Sequence, residues 1–252
     1  MKRSYYYVRS ITSTNTALKE KLRQSADPVF DILSAGEQTG GRGRQGRRFL
    51  SPKGGIYFSA AYLLPEKTKR PAFLPLYVGL SVQKVLQKRA EQPIFVKWPN
   101  DIYANEKKIG GVLTELLEGK SGLYAVVGVG LNVKIETSLF PTALDGRITD
   151  LSAVGFHVRD REALIKEIIA ETDRFVYEDR VLEQDAFTAA QAFRNVDFLY
   201  GKRVTRDSPA GKTTGIAAGV DDAGRLILQT ENGELHVDSG AVEWDEGVLP
   251  VL

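Results

Sequence analysis

The chain's 252 residues, 42% hydrophobic and 26% charged, can bury a sizeable core and suit one large domain or a main domain with a small appendage. A net charge of only +2 excludes a polycation built to coat nucleic acid, so any anion-binding function must be local. The absence of cysteine excludes disulfides, thiolate zinc sites, iron–sulfur clusters and every cysteine nucleophile.

The opening MKRSYYYVRSITSTN has no apolar run behind its basic residues, and no stretch approaches the roughly 20 apolar residues of a membrane helix. A cytoplasmic protein with no membrane partner is expected. Ser13, Thr14 and Asn15 precede TALKEKLRQ, where Leu18 and Leu22 share a helical face and the polar side chains can cap the first N–H groups. VFDILSA, from Val29, reads as a buried strand, and GIYFSAAYLL, from Gly55 to Leu64, as a second. Leu74, Val78, Val82, Val85 and Leu86 keep the spacing of an amphipathic helix between Phe73 and Arg89.

IFVKW, from Ile94 to Trp98, is a short predicted strand, and DIYANEKKIGG a hairpin turning near Asn105 and Glu106. IGGVLTELL and LYAVVGVGLNV read as strands joined by the turn EGKSG. REALIKEIIAETDRFVYE, from Arg161, is a helix with Leu164, Ile165, Ile168, Ile169, Phe175 and Val176 inward and Asp160 at its positive end. After about Asn195, short strand-like runs punctuated by DDAG and ENG point to a small all-β barrel. The fold class is therefore α+β, a mixed-sheet domain over 1–195 and a β-rich module over 196–252, packed closely because no linker separates them.

Between Gln38 and Pro65 no acidic residue occurs, while Arg42, Arg44, Arg47, Arg48 and Lys53 do, interleaved with Gly40, Gly41, Gly43 and Gly46. Glycine lets the backbone approach a ligand, and arginine offers a planar fork to carboxylate or phosphate. Such a segment is expected to be mobile until an anion folds it. Composition alone leaves an anion grip and a solvated basic loop both open. The pattern Gly41-x-Gly43-x-x-Gly46 matches a dinucleotide fingerprint, but a loop and strand follow where a helix is required. Gly211-Lys212-Thr213 fails as a phosphate loop because Arg206 stands where the earlier glycine belongs. An RNA-contacting segment would carry repetition and interleaved aromatics, which are missing. Downstream, the hairpin brings Lys108 back towards Tyr103 and Asp101, so Lys97, Asn100, Asp101 and Lys108 converge on a patch suited to a triphosphate with Mg²⁺.

The motifs STN (Ser13–Asn15), Q-x-x-GRGRxGR (Gln38–Arg47), KWPND (Lys97–Asp101), KIGG (Lys108–Gly111) and GxGxN (Gly128–Asn132), in this order, resemble those of the biotin protein ligases. The resemblance spans about Ser10 to Val133, and GIAAGVDDAGRLILQ is similar to that family's SH3-like C-terminal domain. It implies a fold of the biotin/lipoate ligase type. It also implies a reaction in which ATP converts biotin to biotinyl-5′-AMP with release of pyrophosphate, after which biotin passes to a lysine of a biotin carboxyl carrier protein. Ser13, Thr14, Asn15, Gln38, Gly41, Arg42, Arg44, Lys108, Gly111 and Gly128 would then hold biotin. Arg42, Arg44, Arg47, Phe49, Asn100, Lys108 and Asn132 would face the nucleotide. Lys108, Lys97 and Arg44 would be catalytic, with Asp101 at Mg²⁺. Phe49 stands where many members have tryptophan and still offers a stacking face.

The few residues before Ser13 leave no room for the DNA-binding domain of repressor-type members, so no nucleic-acid partner is expected. A lipoate ligase is the runner-up, disfavoured by Ser13, Thr14 and Gln38; octanoyl transferases need a cysteine. A non-catalytic nucleic-acid binder would show salt-dependent affinity and no turnover. A homodimer is neither required nor excluded.

Overall fold

The computed structural model describes residues 3–24, 31–68, 71–144, 146–178, 187–208, 211–238, 240 and 242–245. In its first part, β1 (Ser4–Val8), α1 (Thr14–Gln24) and β2 (Asp31–Ala35) precede β3 (Ile56–Leu63), α2 (Leu74–Gln87) and β4 (Ile94–Lys97). Then come β5 (Asp101–Ala104), β6 (Lys107–Gly119), β7 (Gly122–Leu131) and α3 (Arg161–Asp173). The strands form one seven-stranded sheet in the order β1-β2-β3-β7-β6-β5-β4, with β1 parallel to β2 and all other pairs antiparallel. Val29 and Phe30, read as the start of a strand, lie outside the described residues.

The period-two geometry of strands explains why β3 and β7 look apolar throughout: both of their faces are covered. Ala61 and Val126 pack on Leu18 and Leu22 of α1. Their neighbours Ala60, Tyr62 and Val127 face the other way, into the main core built with α2 and α3. Asp160 caps α3 by accepting from Ala163 N at 3.0 Å. Phe175 and Val176, read as continuing that helix, instead lie in a π-type turn (Arg174–Glu178) that keeps Val176 buried and Phe175 against Tyr77. At the β5–β6 turn Asn105 and Glu106 both have positive φ, 49° and 59°, as a two-residue hairpin of type I′ requires.

α4 (Phe187–Arg194) closes the first part, and the second contains five antiparallel strands in the order β11-β10-β9-β8-β12. These are β8 (Arg203–Ser208), β9 (Gly211–Val220), β10 (Leu226–Thr230), β11 (Gly233–Val237) and β12 (Val242–Trp244). This is the expected SH3-like module. The junction is continuous: Val96 N donates to Val196 O at 2.8 Å and Phe198 N to Val96 O at 3.0 Å, so the chain after α4 joins the edge strand β4. Val204, Leu226 and Val237 belong to the same core cluster as Val96. Among the described residues no helix is long and apolar enough to cross a membrane.

Candidate functional site

A cavity opens where the start of α1, the Gly/Arg segment, the turns around β5 and the middle of β7 meet. At one end the groups are polar and uncharged. Ser13 Oγ accepts from Thr16 N at 3.4 Å, capping α1. Thr14 donates to Gln38 Oε1 twice, from N at 2.9 Å and from Oγ1 at 3.1 Å. That fixes the Gln38 amide, whose Nε2 donates to Ser51 Oγ at 3.0 Å. Below them Ser59 Oγ lies 2.7 Å from Thr14 Oγ1 and 2.5 Å from Asn15 Oδ1. Asn15 Nδ2 donates to Glu115 Oε2 at 2.9 Å, and Lys19 Nζ pairs with Glu115 Oε1 at 2.5 Å. Burial pushes the Glu115 carboxyl up, but the Lys19 and Asn15 donors outweigh it and hold it below its ordinary range. A Cβ at Gly128 would fall 2.3 Å from Asn15 Oδ1, so β7 needs glycine to admit this amide.

The Gly/Arg segment is a hydrogen-bonded hairpin. Gly43 N donates to Arg47 O at 2.7 Å and Phe49 N to Gly41 O at 3.0 Å, and the chain reverses at Gln45 (φ 54°) and Gly46 (φ 73°). Its return arm lays the Phe49 ring over Gly130, where a Cβ would stand 2.4 Å from the ring. Arg42, Arg44, Arg47 and Arg48 all line the cavity from this hairpin. Burial lowers the Arg44 pKa, Asp101 counteracts the shift and Arg47 adds to it.

At the other end stand the charged groups of the β4–β5 and β5–β6 turns. Lys97 and Asp101 are cross-strand partners, and Asp101 Oδ1 pairs with Lys108 Nζ at 2.6 Å. Lys108 Nζ lies 5.8 Å from the Phe49 ring centroid. Burial lowers the Lys97 pKa to about 8, with Asp101 opposing and Lys108 assisting. Asn100 is held on β6: its Nδ2 donates to Val112 O, and Val112 N donates to Asn100 O at 2.8 Å. Among the described residues around the cavity, six cationic side chains face a single carboxylate, Asp101. Phe58, Trp98, Val112 and Val129 supply apolar wall between the two ends.

The model of the biotin/lipoate A/B protein ligase family matches residues 7–132, and that of the biotin protein ligase C-terminal domain matches residues 200–244. The chain belongs to this ligase family. It is 31% identical over 225 residues to the bifunctional ligase/repressor BirA of Escherichia coli (strain K12), across 88% of this chain and 68% of that protein. To the biotin–[acetyl-CoA-carboxylase] ligase of Mycobacterium tuberculosis it is 29% identical over 236 residues, across 91% and 85%. Its fold is similar to the biotin protein ligase from Aquifex aeolicus in complex with biotin and ATP, with a TM-score of 0.81 and 29% identity over 97% of this chain and all of that one. It is an enzyme, a ligase of the biotin protein ligase type.

In this ligase the residues singled out from the sequence line one cavity, with two exceptions. Gly41 sits behind the wall, where a Cβ would strike Phe49 O at 2.4 Å and Ser51 Oγ at 2.6 Å. Asn132 is buried beneath it, its Nδ2 donating to Thr149 O at 3.0 Å. Sequence reasoning missed the buried Ser59 and the half-buried Glu115 and Lys19 that support the site; a lone serine inside the apolar run GIYFSAAYLL was the available signal for the first. It also missed Gly240 and Val242, which reach the cavity from the C-terminal module and carry no local motif.

Proposed function

We propose that the ligase activates biotin with ATP to biotinyl-5′-AMP, releasing pyrophosphate, and then transfers biotin to a lysine of a biotin carboxyl carrier protein. The observation that carries this reading is the cavity's polarity. Among the described residues six cations and one carboxylate line the cavity, with Lys97, Asp101 and Lys108 at one end, and fixed hydroxyl and amide groups close the other. A substrate with an uncharged polar head, an apolar body and a carboxylate that must meet a triphosphate matches that order of groups.

In this reading Ser13, Thr14, Asn15, Gln38 and Arg42 serve the urea ring of biotin, whose N–H groups and carbonyl need both acceptors and donors. Gly111 and Gly128 give the ring and chain backbone clearance. Lys108 lies between the biotin carboxylate and the α-phosphate, where its charge offsets two anions brought together and stabilises the pentavalent phosphorus. Lys97 and Arg44 face the phosphates, and Arg42 and Arg47 close over the adenylate. Phe49 offers its face to adenine, with Asn100 and Asn132 holding the surrounding backbone. No side chain acts as nucleophile: the biotin carboxylate attacks the α-phosphate, pyrophosphate leaves, and the acceptor amine later displaces AMP from the mixed anhydride. Among the described residues no three His, Cys, Asp or Glu side chains cluster for a metal. One carboxylate, Asp101, fits a hydrated Mg²⁺ carried mainly by the nucleotide phosphates, where the ion would add charge neutralisation. The catalytic unit is taken to end near residue 195, the SH3-like domain following from 196.

Pyrophosphate–ATP exchange with biotin, with lipoate and without acid tests the proposal. Exchange is expected with biotin alone. Exchange with lipoate only would move the assignment to a lipoate ligase, and no exchange under any condition would remove the adenylation chemistry.

A further inference from the structure

Lys97 belongs to the first module, yet most of what holds it comes from the second. Its Nζ donates to Val242 O at 3.2 Å and stands 4.6 Å from the Trp244 ring centroid; its own sheet supplies the Tyr103 ring, at 5.4 Å, and the field of its cross-strand partner Asp101. The next residue repeats the pattern: Trp98 Nε1 donates to Gly224 O at 2.9 Å. Both partners are carbonyls of the C-terminal module, and Gly240 and Val242 of the same module line the cavity directly.

Trp244 is itself fixed by edge-on contacts with Phe198, at 5.1 Å, and Tyr103, at 5.7 Å. Its indole N–H is buried and has no hydrogen-bond partner among the described residues. A ring kept only to fill space would not strand a donor there, whereas indole offers a cation the strongest ring face of any side chain. Among the described residues no carboxylate lies within ion-pair distance of Lys97, so ring and carbonyl are its direct contacts, while Asp101 and Glu243 act on the ammonium only from farther off. The lowered Lys97 pKa agrees with such a partly desolvated ammonium. Lysine has a flexible four-carbon stem, and fixing it in advance reduces the ordering cost of binding a phosphate.

We propose that Trp244, with the Val242 carbonyl, is a positioning element that aims the Lys97 ammonium at the nucleotide phosphates. This rests on the assignment of Lys97 to the phosphates made above. The expected signature is selective: KM for ATP rises while KM for biotin does not.

Steady-state adenylation by the full chain tests it with Trp244→Leu, Trp244→Phe and Lys97→Met. Loss of the ring face should raise the ATP KM about fivefold in Trp244→Leu and about twofold in Trp244→Phe, with the biotin KM unchanged. Combined with Lys97→Met, neither substitution should add to the effect of Lys97→Met alone. An unchanged ATP KM, a matching rise in biotin KM, or additive effects in the double variants would each overturn the proposal. Should Trp244→Leu fail to fold by circular dichroism, Trp244→Phe and its combination with Lys97→Met decide alone. If Lys97→Met itself leaves the ATP KM unchanged, the assignment of Lys97 falls, and the inference with it. If only Lys97→Met has an effect, the inference falls and the assignment stands.

Discussion

Among the described residues Lys108 and Asp101 form the one ion pair that lines the cavity. Both side chains remain partly exposed, at 29% and 23%, so the pair is worth little to folding and is free to rearrange around an incoming phosphate. In the proposed reaction its value lies in placing a positive charge where two anions must meet. Lys108→Ala should therefore slow adenylate formation by roughly 10²–10³-fold, the usual cost of losing one donor to a developing oxyanion, with little change in melting temperature. Isotope exchange between pyrophosphate and ATP reads this directly. A variant exchanging at the normal rate would remove Lys108 from the chemistry.

The Gly/Arg run, read as a loop, and the β4–β5–β6 turns were legible in the sequence because each is a contiguous motif; composition alone did not decide the purpose of the first, and its hydrogen-bonded hairpin form was not read. Glycines mark the close approaches, arginines the charge, and Asn105-Glu106 the reversal that returns Lys108 to Asp101. The floor under them was not legible. Asn15 meets Glu115 across 100 residues and Lys97 meets Val242 across 145, and no local pattern encodes such a meeting. β1 was unread for another reason: SYYYV is an edge strand whose exposure does not alternate, so it lacks the period that identifies strands. The hairpin as a unit makes its own prediction. Arg42 lines the cavity from the first arm of the hairpin. Arg42→Ala should release the adenylate into solvent faster and weaken biotin binding, seen as free biotinyl-AMP accumulating without acceptor. Retention equal to the parent chain would argue that the hairpin is not a lid.

Across the whole molecule a net charge of +2 conceals a strongly cationic cavity, and two modules share one core. At their junction Asp197 is 7% exposed; its Oδ1 accepts from Leu199 N at 2.9 Å, and its Oδ2 has no partner among the described residues. Burial pushes its pKa up to about 7, with the Leu199 hydrogen bond and Lys202 opposing. The folded pKa lies above the unfolded value of about 3.9, so its contribution to stability is fully present below that pH and lost as pH rises through about 7. Asp197→Asn should gain stability over the parent chain at pH 8 and much less at pH 4, measured by urea unfolding; an equal difference at both would contradict this account. The central claim is that this cavity makes an acyl-adenylate of biotin, holds it, and yields it to an acceptor lysine. The most direct measurement is to incubate the ligase with biotin and α-labelled ATP, isolate the protein, and add a biotin carboxyl carrier domain. The account predicts labelled biotinyl-AMP bound to the isolated protein, discharged as AMP while the carrier gains biotin on one lysine. Label that never stays with the protein, or stays and is not discharged by the carrier, would contradict it.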